Sequence, residues 1–146
     1  MEFKSLKSKQ LQNINISKHL INWDSGGSSP HLKSKIFLSK YWRYDVVLEE
    51  FPLPGSRLRI DILNISKRIA VEVSPDATHN KYTEFFHGTR NGFLGSVKRD
   101  FDKAKWCDDN NILLIEFDDE FLKDMSPAKF LEKFGMPVSM TAALKG

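Results

Sequence analysis

Two carboxylates, Asp61 and Glu72, stand out because each sits inside a short apolar run, RLRIDIL and RIAVEVS. Both runs alternate apolar and polar residues, the period of a half-buried strand. In the first, Leu58, Ile60 and Ile62 share one face and Arg57, Arg59 and Asp61 the other; in the second, Ile69, Val71 and Val73 oppose Ala70, Glu72 and Ser74. A turn over 64–66 would join the two as a hairpin and bring Asp61 beside Glu72 on the polar face. Two carboxylates held there are a seat for a hard divalent cation such as Mg²⁺. Glu49 and Glu50, on the preceding strand, offer a further acid, and strict alternation lets only one of them face the site. An unpaired carboxylate among the apolar neighbours of Glu72 would be costly, which favours a functional role. The plainer alternative for Asp61 is an exposed ion pair with Arg59 or Arg68.

Further along, SPDATHN carries His79 and KRDFDKAKW carries Asp100 and Lys103. Histidine is the side chain suited to moving protons near neutral pH. Asp100 and Lys103 lie one helical turn apart, a spacing that serves a surface ion pair equally well. His87, beside Phe85 and Phe86, reads as packing.

These residues have to be positioned by a chain of 146 residues, enough for one domain with a modest core. No apolar run is long enough to span a bilayer, and the first nine residues lack a signal peptide's apolar centre. The single cysteine, Cys107, can form no internal disulfide, so an intracellular, cytoplasmic setting is expected. The net charge is only +3, yet residues 1–44 hold eight Lys/Arg against Glu2 and Asp24. A basic front end on a mildly acidic body points to an arm that meets phosphate. The expected division is a basic arm with the DSGGSSP linker over 1–30, a main domain over 31–135, and a weakly ordered tail over 136–146.

Short helices are expected within the arm. A helix is expected over 31–44, with Leu32, Ile36, Phe37, Tyr41 and Tyr44 as its apolar side. A strand over 45–53 and the Pro54-Gly55 turn precede the two carboxylate strands, making a three-stranded antiparallel meander over 45–74. After a loop over 75–91, a helix over 92–109 has Leu94, Val97, Phe101, Ala104 and Cys107 as its buried stripe. Asn110-Asn111 breaks it, and ILLIEF over 112–117 is a buried strand. Ser126-Pro127 opens a last helix, which Gly135 ends. The fold class is therefore α+β: an α/β/α sandwich around a mixed central sheet.

This order of pieces, over about residues 32–117, resembles the PD-(D/E)XK nuclease superfamily, whose core is the restriction-endonuclease-like fold. Within it the likeness is to small phage and bacterial members related to very-short-patch repair and homing endonucleases. RIDIL with Asp61, AVEVSPDATH with Glu72 and His79, KRDFDKAKW with Asp100 and Lys103, and ILLIEF carry the resemblance. It implies metal-assisted hydrolysis of DNA, with Mg²⁺ or Mn²⁺ held by Asp61, Glu72 and the Val73 carbonyl against the scissile phosphate. The lysine usually found two residues after the glutamate is here Ser74. His79, as general base or leaving-group acid, or Lys103 or Lys98 from the following helix, would then take its place. Lys33, Lys35, Lys98 and Arg99 are the cations expected to meet the backbone of double-stranded DNA. So small a domain would grip a long site as a homodimer or higher homo-oligomer. The rival expectation is a nuclease-fold subunit without turnover, a DNA-binding scaffold in a phage or repair assembly.

Overall fold

The strands that the alternating pattern predicts do join one sheet. The computed structural model describes residues 1–25, 29–75 and 90–142, with the backbone alone over 90–99. A short hairpin comes first, β1 (Glu2–Lys4) and β2 (Leu11–Asn13), followed by a single 3₁₀ turn and helix α1 (Ser29–Trp42). Strands β3 (Val47–Pro52), β4 (Arg59–Asn64) and β5 (Ile69–Ser74) form the expected antiparallel meander. Helix α2 (Arg90–Asp109) leads into β6 (Leu113–Asp118), which lies parallel to β5. A parallel neighbour cannot be reached by a tight turn; the chain must cross a face of the sheet first, and α2 lies in that crossover. Helices α3 (Asp119–Lys123) and α4 (Pro127–Phe134) complete the chain. The sheet order is β3-β4-β5-β6, so the class is α+β with a mixed sheet.

Helix ends follow local chemistry. Ser126 Oγ accepts the Lys129 N–H at 3.1 Å, and Pro127 occupies the first turn, where its missing donor costs nothing. Gly135 closes α4 at φ 73°, donating its N–H to Leu131 O. Asn111, at φ 56°, turns the chain out of α2.

Both faces of the sheet are covered. On one, Ile62, Ile69, Val71, Val73 and Phe117 meet Phe37, Leu38 and Trp42 of α1, Phe121 of α3 and Phe130 of α4. On the other, Leu63 and Ala70 meet Trp106 and Cys107 of α2 and Phe3 and Leu6 from the N-terminal segment. The two fully buried indoles have paired donors: Trp42 Nε1 donates to Val138 O and Trp106 Nε1 to Lys4 O, each at 2.8 Å.

Those two bonds correct both ends of the expected organisation. The N-terminal segment is no detached helical arm. It is a hairpin seated on the core, with Phe3 only 2 % exposed and the Leu6 N–H bonded to Pro54 O. Its lysines (Lys4, Lys7, Lys9 and Lys18) still face outward, so burial of the apolar side leaves the charge on the surface. The expected loose tail is docked as far as Ala142, which is buried and donates its N–H to Lys67 O at 2.8 Å.

The helix faces also differ from expectation. On α1 the buried side is Ser34, Phe37, Leu38 and Trp42, while Ile36 is exposed and Tyr44 lies beyond the helix, 99 % exposed. On α2, Phe101 and Ala104 face out and Trp106 with Cys107 face in. A short helix meeting a twisted sheet buries what the sheet covers, and a loosely apolar sequence does not specify that rotation. Among the described residues, strand β6 is the sheet's edge rather than fully buried, with Leu113 40 % exposed.

Gly55 tests the seating of the hairpin. It has φ 79°, and a Cβ there would lie 2.1 Å from Ser5 Oγ. Gly55→Ala should cost about 1–3 kcal/mol in urea unfolding. Combining it with Ser5→Gly should recover part of that cost. Strict additivity of the two substitutions would show that Ser5 is not seated on this turn.

Candidate functional site

Asp61 stands where the ladder between β4 and β5 stops. The paired residues run Asn64 with Ile69, Leu63 with Ala70 and Ile62 with Val71, and no further. Beyond them the Asp61 side chain takes over: its Oδ2 accepts the Val73 N–H at 2.8 Å. The alternation expected for β4 breaks at this residue, since Ile60 joins the cluster of Leu63 rather than that of Ile62. The same Oδ2 lies 3.4 Å from His31 Nε2 in the first turn of α1. Neither Arg59 nor Arg68 is its partner in these contacts; the Arg68 guanidinium donates to Asn110 O.

Glu72, on β5, turns toward α2. Its Oε2 accepts from Lys103 Nζ at 3.0 Å, while Oε1 is buried with no hydrogen-bond partner among the described residues. Lys103 therefore stands beside the carboxylate whose expected companion lysine is replaced by Ser74. A cavity of about 200 Å³ opens here, lined by Glu72, Ser74, Asp100, Lys103 and Glu116 among others. Asp100 is exposed at its rim, so it is Lys103 that reaches the glutamate. Glu116 enters because the parallel register sets it opposite Glu72.

The two glutamates of β3 overturn the alternation rule. Both line one cavity of about 130 Å³, with His31, Lys35 and Asp61. The reason is Glu50, whose φ of 49° is left-handed, a conformation that costs a non-glycine residue about 1–2 kcal/mol. Glu49 is tied structurally: its Oε2 takes Lys35 Nζ at 2.6 Å and its Oε1 the Asn22 N–H at 3.3 Å. Glu50 instead joins His31 and Asp61, the three offering ligand atoms within 4.8 Å of one another.

The cations expected at nucleic acid divide. Lys35 is only 4 % exposed, and its ammonium is spent on Glu49 and on Ser25 O, so it is a core cation rather than a phosphate contact. Lys33 is exposed on α1. His79 and the side chains of Lys98 and Arg99 lie outside the described residues. Sequence reasoning missed His31, which carries no local signal beyond following a linker, and Glu116, whose signal was a carboxylate inside the apolar run ILLIEF.

Burial pushes the Asp61 carboxyl up, but His31 and the Val73 N–H outweigh it and hold the group below its ordinary value. At Glu72, burial first and the Asp61 charge second push the carboxyl up to about 7, against the pull of Lys103. The Asp61 hydrogen bond raises His31 despite burial. Burial, and then the Glu72 charge, push the Cys107 thiol up to about 12, so it stays protonated and is no nucleophile. Asp61 and Glu72 are near enough for the charge of one to raise the pKa of the other, a repulsion that a hard cation would relieve.

No family model, no curated protein and no solved structure matches the chain.

The raised Glu72 pKa makes a prediction about the metal-free protein. Its folded state keeps a proton that the unfolded chain releases above 4.5, so stability falls as pH rises from 4.5 to about 7 and levels off beyond. The full effect is on the order of 3 kcal/mol. His31, being raised, adds a loss of the same sign as pH climbs through its folded value. Glu72→Gln should remove only the Glu72 part, flattening the profile between pH 4.5 and 7 in urea unfolding without divalent cations. An unchanged slope would mean that Glu72 does not titrate beside Asp61.

Proposed function

We propose that this chain is a metal-dependent endonuclease that hydrolyses phosphodiester bonds in double-stranded DNA. The observation that carries the reading is a pair of acids at the point where β4 and β5 part. Asp61 turns to α1 and Glu72, with Lys103 on it, turns to α2 rather than to the same face, yet they are near enough for the Asp61 charge to raise the Glu72 pKa. A meander bearing the acids, followed by a helix and a parallel strand, supports reading the core as restriction-endonuclease-like. When bound, Mg²⁺ or Mn²⁺ would polarise the phosphoryl oxygen and lower the pKa of the attacking water. Asp61 and Glu72 would hold that ion, with the Val73 carbonyl as a further oxygen. Lys103, beside Glu72, would orient the attacking water or steady the charge developing on the phosphate. His79 would serve as the proton-transfer group.

Lys18 and Arg59 line a cavity shared with His19, Glu49 and Glu50 and supply positive charge beside the acids, which suits a phosphate backbone. A second copy of the chain would extend the grip along the duplex, making a homodimer or higher homo-oligomer the working form. A second reading, a DNA-binding scaffold without turnover, draws on one observation. Lys103 already stands on Glu72 and His31 already faces Asp61, so each acid has a cationic or imidazole neighbour supplied by the chain itself.

A plasmid-nicking assay with Mg²⁺, Mn²⁺ or EDTA separates the two. The nuclease should cut only with metal, lose cutting in Asp61→Asn and Glu72→Gln, and slow by about 10²-fold in Lys103→Ala. Binding without cleavage of intact, mismatched or branched DNA would favour the scaffold, and cutting in EDTA would remove the metal from the reading.

A further inference from the structure

We infer a second cation site, sharing Asp61, made by His31, Glu50 and Asp61, which takes a first-row transition-metal ion such as Mn²⁺, Co²⁺ or Zn²⁺ in preference to Mg²⁺. Three elements converge to build it: the first turn of α1, the left-handed residue of β3 and the end of the β4 ladder. Their ligand atoms all lie within 4.8 Å of one another. Ligands on one such ion stand about 3–4 Å apart, given bonds near 2.1 Å, so a small closing of side chains brings all three to bond length. The cavity they line, about 130 Å³, has room for an ion and its remaining waters.

Charge and donor type decide what the site takes. Among the described residues, the ammonium in the cavity wall is that of Lys35, bonded to Glu49 and to Ser25 O, and Glu50 and Asp61 remain as the anionic pair there. The imidazole nitrogen sets the preference. Mg²⁺ favours oxygen ligands and gives up its waters reluctantly, whereas a mixed nitrogen and oxygen set is taken by the divalent first-row ions, weakest by Mn²⁺ and more tightly by Co²⁺ and Zn²⁺. Asp61 is common to this site and to the one proposed for catalysis; Glu72 belongs only to the latter, His31 and Glu50 only to the former. The inference concerns binding and stands without nuclease activity.

Titrating the full chain with Mn²⁺ and following the free-ion EPR signal tests it, with Mg²⁺ as competitor. His31→Gln and Glu50→Gln should each weaken Mn²⁺ binding by at least about tenfold, since losing even an outer-shell partner costs that much. Glu72→Gln, which removes a neighbouring charge but no ligand, should weaken Mn²⁺ binding far less than either of these changes, and Mg²⁺ should displace the ion only in large excess. Glu50 is exposed, so its variant keeps the test valid even if the His31 change disturbs α1. Parent-like Mn²⁺ affinity in both variants, dependence on Glu72 alone, or Mg²⁺ competing on equal terms would each overturn the site. Absence of DNA cleavage by a chain that still binds Mn²⁺ through His31 and Glu50 would sink the nuclease reading and leave this one standing.

Discussion

The hydrogen bond from the Val73 N–H to Asp61 Oδ2 is the constraint on which the site depends. It replaces a rung of the β4–β5 ladder with a side chain, so the two strands part without leaving a buried donor unpaired. The same substitution holds the Asp61 carboxylate ionised and aims it at α1. Glu72, across the parting, is left beside a fixed negative charge in a buried place, and its raised pKa follows directly. Lys103 offsets part of that repulsion from the other layer. The sheet thus stores an electrostatic conflict that a cation would resolve.

Layers on both faces keep the conflict in place. On one face α1, α3 and α4 close over Ile62, Val71 and Phe117; on the other, α2 and the N-terminal hairpin close over Leu63 and Ala70. The two buried tryptophans lock chain ends to these layers through their indole N–H groups. α1 then delivers His31, α2 delivers Lys103, and the hairpin segment brings Lys18 and His19 toward the glutamates of β3. Each layer supplies both packing and one component of the polar cluster.

The replacement of the expected lysine by Ser74 has a physical counterpart in three dimensions. If the proposed reading holds, an ammonium stands near the glutamate, and its origin in sequence is immaterial when a neighbouring helix presents it. Lys103 comes from α2, which the β5–β6 crossover lays against the face to which Glu72 points. On the proposed reading, position 74 is relieved of its charge because the crossover helix carries it.

Much of this was determined by the sequence alone. Period-2 alternation marked β4 and β5, Ser126-Pro127 and Gly135 marked the ends of α4, and the carboxylates inside apolar strands marked Asp61 and Glu72, because these are local matters of backbone geometry and desolvation. What only the tertiary structure decided depends on contacts distant in the chain. The hairpin's docking on Trp106, the burial of Lys35, the rotation of α1 and α2, and the arrival of His31 at Asp61 each join residues whose sequence neighbourhoods carry no trace of the partner. Glu50 is the sharpest case. Alternation says that Glu49 and Glu50 point apart, and a single left-handed residue, tolerated where β3 borders the cavity, turns both to the same side.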